Sequence, residues 1–261
     1  MAYSPFLAAA LDAARAAAEV IRRYYRGDLE VTLKPDESPV TRADVEAEQV
    51  IRDLLRARFP DHGFYGEETG REALEAEYLW LVDPIDGTKA FVREYPFFST
   101  QIALMHRGRL IVGVSSAPLY DELACGELPH EGASETTALL NDRPIRVSDI
   151  DSIERSAISG GNLKTLAKGP SWERYGRLVA RADRIRGYGD FLHYHLLASG
   201  KLEVVIESDV NILDIAALAV IVQAAGGRFT DIGGNPIGLH TTSVLATNGK
   251  LHSEVLSVLE L

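Results

Sequence analysis

Between residues 4 and 26, Leu7, Leu11, Ala14, Ala18 and Ile21 recur at three- and four-residue intervals. They form the stripe of an amphipathic helix, which Gly27 ends. A second helix is predicted over 41–58, with Thr41 as N-cap, Asp44 at the third helical position, and Pro60 and Gly63 as the stop. Residues 61–72, DHGFYGEETGRE, read as a glycine-rich acidic loop. Apolar runs predict strands at 78–83, 98–105 and 109–116, with HRGR as a hairpin signal joining the last two and a weaker strand near 122–126. The segment 141–156 is polar and contains Pro144, so it divides an α+β half, 1–145, from a second half, 146–261. There the pattern alternates: strand 156–159, helix 171–182, strand 184–188, helix 191–199, strand 202–207 and helix 214–225. Strands at 227–230 and 243–247 and a helix at 250–260 complete it, and alternation of this kind predicts an α/β layer.

Charge and cysteine content narrow the classes. With 27 basic against 38 acidic residues the net charge is −11, which opposes nucleic acid and anionic membranes. The longest apolar run, Ile215 to Val222, is far too short to span a bilayer. Asp12, Arg15 and Glu19 in the alanine-rich N-terminal stretch, which has no basic leader, read against a signal peptide. Cys125, the single cysteine, has no internal disulfide partner and reads as a packed side chain, in keeping with a reducing cytoplasm.

Candidate chemistry gathers where one strand ends. WLVDPIDGT, Trp80 to Thr88, finishes an apolar run with Asp83 and Asp86 three residues apart. Pro84 biases Asp83 toward extended geometry and excludes a helix-surface pair. Each aspartate alone reads as turn or cap chemistry. Together they repel, and a hard divalent cation such as Mg²⁺ relieves that repulsion. Gly87 permits close approach of backbone to a ligand, and Thr88 can open a helix whose free N–H groups hold phosphate. Glu67 and Glu68 alone read as a solvated loop, and Asp214 alone as the N-cap of a very apolar helix.

Gly66-Glu67-Glu68, then Trp80 to Thr88, then Asp214 to Gly227 together resemble the inositol monophosphatase superfamily. The resemblance runs from VTRAD at 40–44 to ATNGKLH at 246–252. It implies a layered α-β-α-β-α sandwich, a homodimer, and a Mg²⁺-dependent phosphomonoesterase acting on a small phosphorylated substrate. It also implies that Glu67, Asp83, Asp86, Asp214 and the backbone carbonyl of Ile85 hold two or three Mg²⁺ ions. Leu213 stands where the family usually has tryptophan. Asp44 and Thr88 match the pair that orients the attacking water, with Glu67 beside them, and Asp44 retains its capping role. Asp86, Gly87, Thr88, Asp190, Glu207 and Asp214 are the implied substrate contacts.

For the substrate, DGTKAF looks more like the histidinol-phosphatase and sulfur-assimilation branches, and Arg184 to Ser208 is most similar to the histidinol-phosphate phosphatases, notably the actinobacterial enzymes of histidine biosynthesis. Carboxylates at Asp190 and Glu207 suit the ammonium and imidazole of L-histidinol phosphate. Asp190 also reads as an N-cap of helix 191–199, and Glu207 as a strand-end charge. Lys89 could help attract the anion; Arg93 reads as surface charge, and His193 and His195 as ordinary residues on different helix faces. Inositol 1-phosphate, other sugar phosphates, and a non-catalytic partner-binding role on the same fold are the alternatives.

Overall fold

The computed structural model describes residues 3–27, 31–33, 39–169 and 171–259. Helix α1 (Pro5–Tyr24) starts with proline at its first position, behind Ser4, whose Oγ accepts the Leu7 N–H at 3.1 Å. Strands β1 (Val31–Leu33) and β2 (Pro39–Thr41) make a small antiparallel ribbon. Helix α2 (Arg42–Arg58) has the anticipated capping box: Thr41 Oγ1 accepts the Ala43 N–H, and Asp44 Oδ2 accepts the Thr41 N–H at 2.8 Å.

The stretch assigned to a loop at 61–72 instead contains β3 (Gly63–Gly66) and β4 (Gly70–Glu72), an antiparallel pair. Strands this short carry too few residues to show an alternation. Next come β5 (Tyr78–Asp86), α3 (Thr88–Val92), β6 (Ser99–His106), β7 (Arg109–Ala117) and β8 (Glu122–Glu127). The HRGR hairpin forms, with Arg107 and Gly108 both at positive φ. Strands β9 (Thr137–Leu140) and β10 (Arg143–Pro144) extend the sheet into the polar segment assigned to the boundary, turning at Asn141 and Asp142. This sheet has eight strands in the order β10-β9-β8-β7-β6-β5-β3-β4.

The second half contributes β11 (Ala157–Gly160), α4 (Ser171–Arg181), β12 (Arg184–Arg186), α5 (Asp190–Ala198), β13 (Val204–Ser208) and α6 (Ile212–Ala224). It ends with β14 (Arg228–Thr230), β15 (Ser243–Thr247) and α7 (His252–Leu259); the last residue of the anticipated helix 250–260 lies outside the described residues. The sheet order is β12-β11-β13-β15-β14, parallel around β11 and antiparallel around β15, so the α/β expectation holds for half of it.

Three apolar clusters define the layers. Helices α1 and α2 cover one face of the large sheet, α5 and α6 lie between the two sheets, and α4 and α7 cover the far face of the small one. This is an α-β-α-β-α sandwich. Strand β13 shows the period of two that makes it work: Val205 joins the inner cluster while Val204 and Ile206 join the outer one. Helix α6 is apolar on every side, as a helix sandwiched between two sheets must be. It lies directly on the large sheet where Gly113 and Gly126 leave room for its backbone. Among the described residues no helix is long and apolar enough to cross a membrane.

Candidate active site

Asp83 and Asp86 present a puzzle of parity. Side chains three apart on a regular strand point to opposite faces. Here the β5–β6 register shifts between them: Asp83 pairs with Gln101 but Asp86 with Ser99, three steps against two. One extra residue is therefore accommodated around Pro84 and Ile85, a β-bulge that returns both carboxylates to the same side. The Pro84 carbonyl accepts the Thr100 hydroxyl at 2.8 Å, and Asp83 Oδ1 accepts the Ile85 N–H at 3.0 Å, which hold the bulge. Gly87 follows at φ 96, and a Cβ there would lie 2.7 Å from the Phe97 carbonyl oxygen, so only glycine fits.

Asp214 comes to the same place from α6. It is not the N-cap; Asn211 is, and Asp214 is the third helical residue, its Oδ2 accepting the Asn211 N–H at 2.9 Å. Ligand oxygens of Asp83, Asp86 and Asp214 lie within 4.8 Å of one another. Burial pushes the Asp83 carboxyl well above its ordinary range, and the charges of Glu67, Asp86 and Asp214 push it further. Asp86 is raised likewise by burial, then by Asp214, Asp190, Glu207 and Glu67. Burial raises Asp214 to about 7, with the Asn211 backbone bond pulling the other way. Among the described residues no lysine or arginine forms an ion pair with any of the three. Hard oxygen donors, converging, buried and mutually repelling, fit a divalent cation of the Mg²⁺ type.

A pH dependence follows from these directions. A carboxyl whose folded pKa is raised stabilises the fold fully below its unfolded value, near 4, and loses that contribution as pH rises through the folded value. The window for Asp214 therefore closes at about 7. The metal-free protein is expected to melt at a lower temperature at about pH 8 than at about pH 5, and added Mg²⁺ should restore more at the higher pH. Melting curves in chelator and in Mg²⁺ check this; a flat metal-free profile would count against the cluster.

Glu67, beyond β3, joins the group through its action on Asp83, and its N–H donates to the Val82 carbonyl at 3.2 Å. Thr88 Oγ1 lies 3.0 Å from the Ile85 carbonyl oxygen and 3.4 Å from Asp44 Oδ1. Asp44 thus caps α2 with one oxygen, as anticipated, and faces Thr88 with the other. Burial raises its carboxyl, which suits a proton acceptor. A cavity of about 370 Å³ is lined by Glu67, Gly87, Thr88, Lys89, Arg93, Tyr95 and Asp190, which brings the Gly87-Thr88 turn and the distant Asp190 together. Arg93, read as a surface charge, also lines this cavity.

Asp190 does not cap its helix. Gly189 occupies the N-cap, Asp190 is the first helical residue, and no side-chain cap bond forms. Its φ of 43 lies in the left-handed region, which aspartate tolerates better than most residues. Burial and the charge of Glu207 raise it to about 6, against the pull of His193. Glu207 is engaged on both oxygens: Oε1 accepts the Asn162 N–H at 3.1 Å, Oε2 accepts the Tyr194 hydroxyl at 2.8 Å, and His193 Nε2 lies 3.3 Å from Oε2. Burial opposes its ionisation, yet His193, the Asn162 N–H and Tyr194 outweigh that and hold it below the ordinary range.

Two features escaped the sequence reading. His193 and His195, read as ordinary, each have specific polar partners. Both are buried, His193 between Ser159 and Glu207, and His195 between Glu122 and Ser115. Glu48, the second, is fully buried beneath the Glu67 turn. Its place one helical turn after Asp44 was the available signal.

Residues 2–260 match the model of the inositol monophosphatase family. The chain is 39% identical to histidinol-phosphatase of Mycobacterium tuberculosis over 88% of each chain. It is 36% identical to histidinol-phosphatase of Streptomyces coelicolor, covering 95% of this chain and 93% of that one. Among solved structures, inositol monophosphatase from Anabaena superposes with a TM-score of 0.82 at 31% identity, over 97% of this chain and 94% of the other.

Proposed function

Since this chain belongs to the inositol monophosphatase family and is a phosphoric monoester hydrolase, we propose that it hydrolyses L-histidinol phosphate to L-histidinol and phosphate with Mg²⁺. Glu67, Asp83, Asp86, Asp214 and the Ile85 carbonyl would hold the cation, two or three ions in all. Mg²⁺ bound there offsets the carboxylates, acidifies water and stabilises negative charge on phosphoryl and leaving oxygens.

The remaining work falls to the chain. Thr88, between Asp44 and the Ile85 carbonyl, orients the attacking water and relays its proton to Asp44. As the water oxygen bonds to phosphorus the ester P–O bond breaks, and the leaving alkoxide takes a proton from solvent. Backbone N–H groups of Gly87 and Thr88 receive the phosphoryl oxygens, and Lys89 and Arg93 raise the local concentration of the anion. No covalent intermediate is required. The same proposal makes the enzyme a cytoplasmic homodimer, and light scattering at twice the chain mass tests the dimer.

One observation carries the substrate assignment. Asp190 places on the cavity wall a carboxylate that makes no cap bond, where a cationic leaving group would lie. Glu207 is already held by Tyr194 and His193, so it adds negative field behind Asp190. Loss of a charge-assisted hydrogen bond costs about 1.5–3 kcal/mol. Asp190→Asn is therefore expected to raise KM for histidinol phosphate by about 10- to 100-fold and to leave p-nitrophenyl phosphate within about twofold. Equal losses on both substrates would make Asp190 structural. Faster turnover of inositol 1-phosphate than of histidinol phosphate by the wild type would overturn the assignment in favour of an inositol monophosphatase.

A further inference from the structure

The geometry points to Glu48 as the positioning residue for Glu67, a role that rests on reading Glu67 as a cation ligand. Glu48 lies one turn beyond Asp44 on α2, so one face of one helix serves both parts of the site. Its Oε2 accepts the Glu68 N–H at 2.8 Å and its Oε1 accepts the Thr69 N–H at 2.6 Å. These are the two peptide groups immediately after Glu67. On the other side, the Glu67 N–H is tied to the Val82 carbonyl of β5. The backbone of Glu67 is thus held from both directions, by a strand and by a buried carboxylate.

Charge makes this placement costly, and therefore informative. Glu48 is fully buried and Asp44 is buried one turn away. Its neighbour Arg52 pairs with Glu72 instead. A carboxylate buried in this way needs donors, and the turn's two N–H groups supply them. Glutamine could not replace it: one oxygen would still accept, but the amide nitrogen would meet a second N–H donor head on. Gly66 completes the fit. A Cβ at that position would lie 2.4 Å from Glu48 Oε1 and 2.7 Å from the Phe64 ring, so a side chain there and the carboxylate are mutually exclusive. The glycine before Glu67 is required because the carboxylate occupies its side-chain space.

Partners that orient metal ligands typically contribute 10- to 100-fold to metal affinity. Glu48→Gln and, independently, Gly66→Ala are each expected to raise the Mg²⁺ half-saturation by at least about tenfold. Binding is read by calorimetry and by the Mg²⁺-dependent rise in melting temperature, so activity is not the only readout. With saturating Mg²⁺, kcat should return to within about threefold of wild type, because no reacting group is lost. The double variant should be no worse than either single one, since both dislodge the same carboxylate. Leu55→Ala, a core change in the same helix, should lower the melting temperature and leave Mg²⁺ half-saturation unchanged. Unchanged Mg²⁺ affinity in both Glu48→Gln and Gly66→Ala, alongside a clear loss in Glu67→Gln, would overturn the role of Glu48. Unchanged affinity in Glu67→Gln would overturn the ligand reading beneath it.

Discussion

Asp86→Asn is expected to lower the phosphatase rate by about a thousandfold, a barrier increase of about 4 kcal/mol, and to make the metal-free protein melt at a higher temperature at about pH 8. The two effects have one origin. Burial first, and then the field of Asp214, Asp190, Glu207 and Glu67, push the Asp86 carboxyl well above the ordinary range. Its ionised form therefore opposes folding at alkaline pH and favours a cation when one is present. Asparagine keeps the shape, removes the charge, and surrenders both the repulsion and the ligand. Melting with and without Mg²⁺, beside steady-state rates, tests the pair of effects. Lost activity with an unchanged metal-free melting temperature would mean that the repulsion is already relieved by some other route.

Gly113→Val should be strongly destabilising. A Cβ on residue 113 would lie 2.3 Å from the Ala217 carbonyl oxygen and 2.9 Å from the Ala217 Cα, which are backbone atoms of α6 that no rotamer change can move. Either α6 lifts from the sheet or β7 bends, at a cost of about 3 kcal/mol or more. For a chain of this size that is a drop of roughly 10 °C. Since α6 carries Asp214, Mg²⁺ half-saturation should rise as well. Gly176→Ala is the matched control, because nothing lies within 4 Å of a Cβ there and the position is helical. It should gain about 0.5–1 kcal/mol from helix propensity. A neutral Gly113→Val in thermal melting would show that α6 does not seat on β7 as described.

Residues close in sequence were legible from the chain alone. The capping box at Thr41 and Asp44, the hairpin at Arg107-Gly108 and the position of nearly every long helix and strand follow from neighbours a few positions apart. The turn from Asp83 to Thr88 belongs with them, since two carboxylates, a proline and a glycine at one strand end have few other uses. What it left open was how residues at an odd spacing could face one way, and the bulge around Pro84 and Ile85 answers that through a partner strand that begins at Ser99.

The remainder depends on distance in sequence. Asn211 displaced Asp214 from the cap because α6 began two residues early. Asp190 proved not to be a cap because Gly189 turned the chain first. Glu207 found His193 and Tyr194 across the inner layer, and Glu48 found Glu68 and Thr69 some twenty residues away. No local periodicity encodes such meetings, because each depends on how the layers stack. The sequence by itself determined the layers' building blocks and the acidic, glycine-containing turn from Asp83 to Thr88. Only the tertiary structure decided which buried carboxylates hold the site's backbone, which line its cavity, and which repel one another strongly enough to favour a cation, since those roles arise from burial and distance across the packed layers.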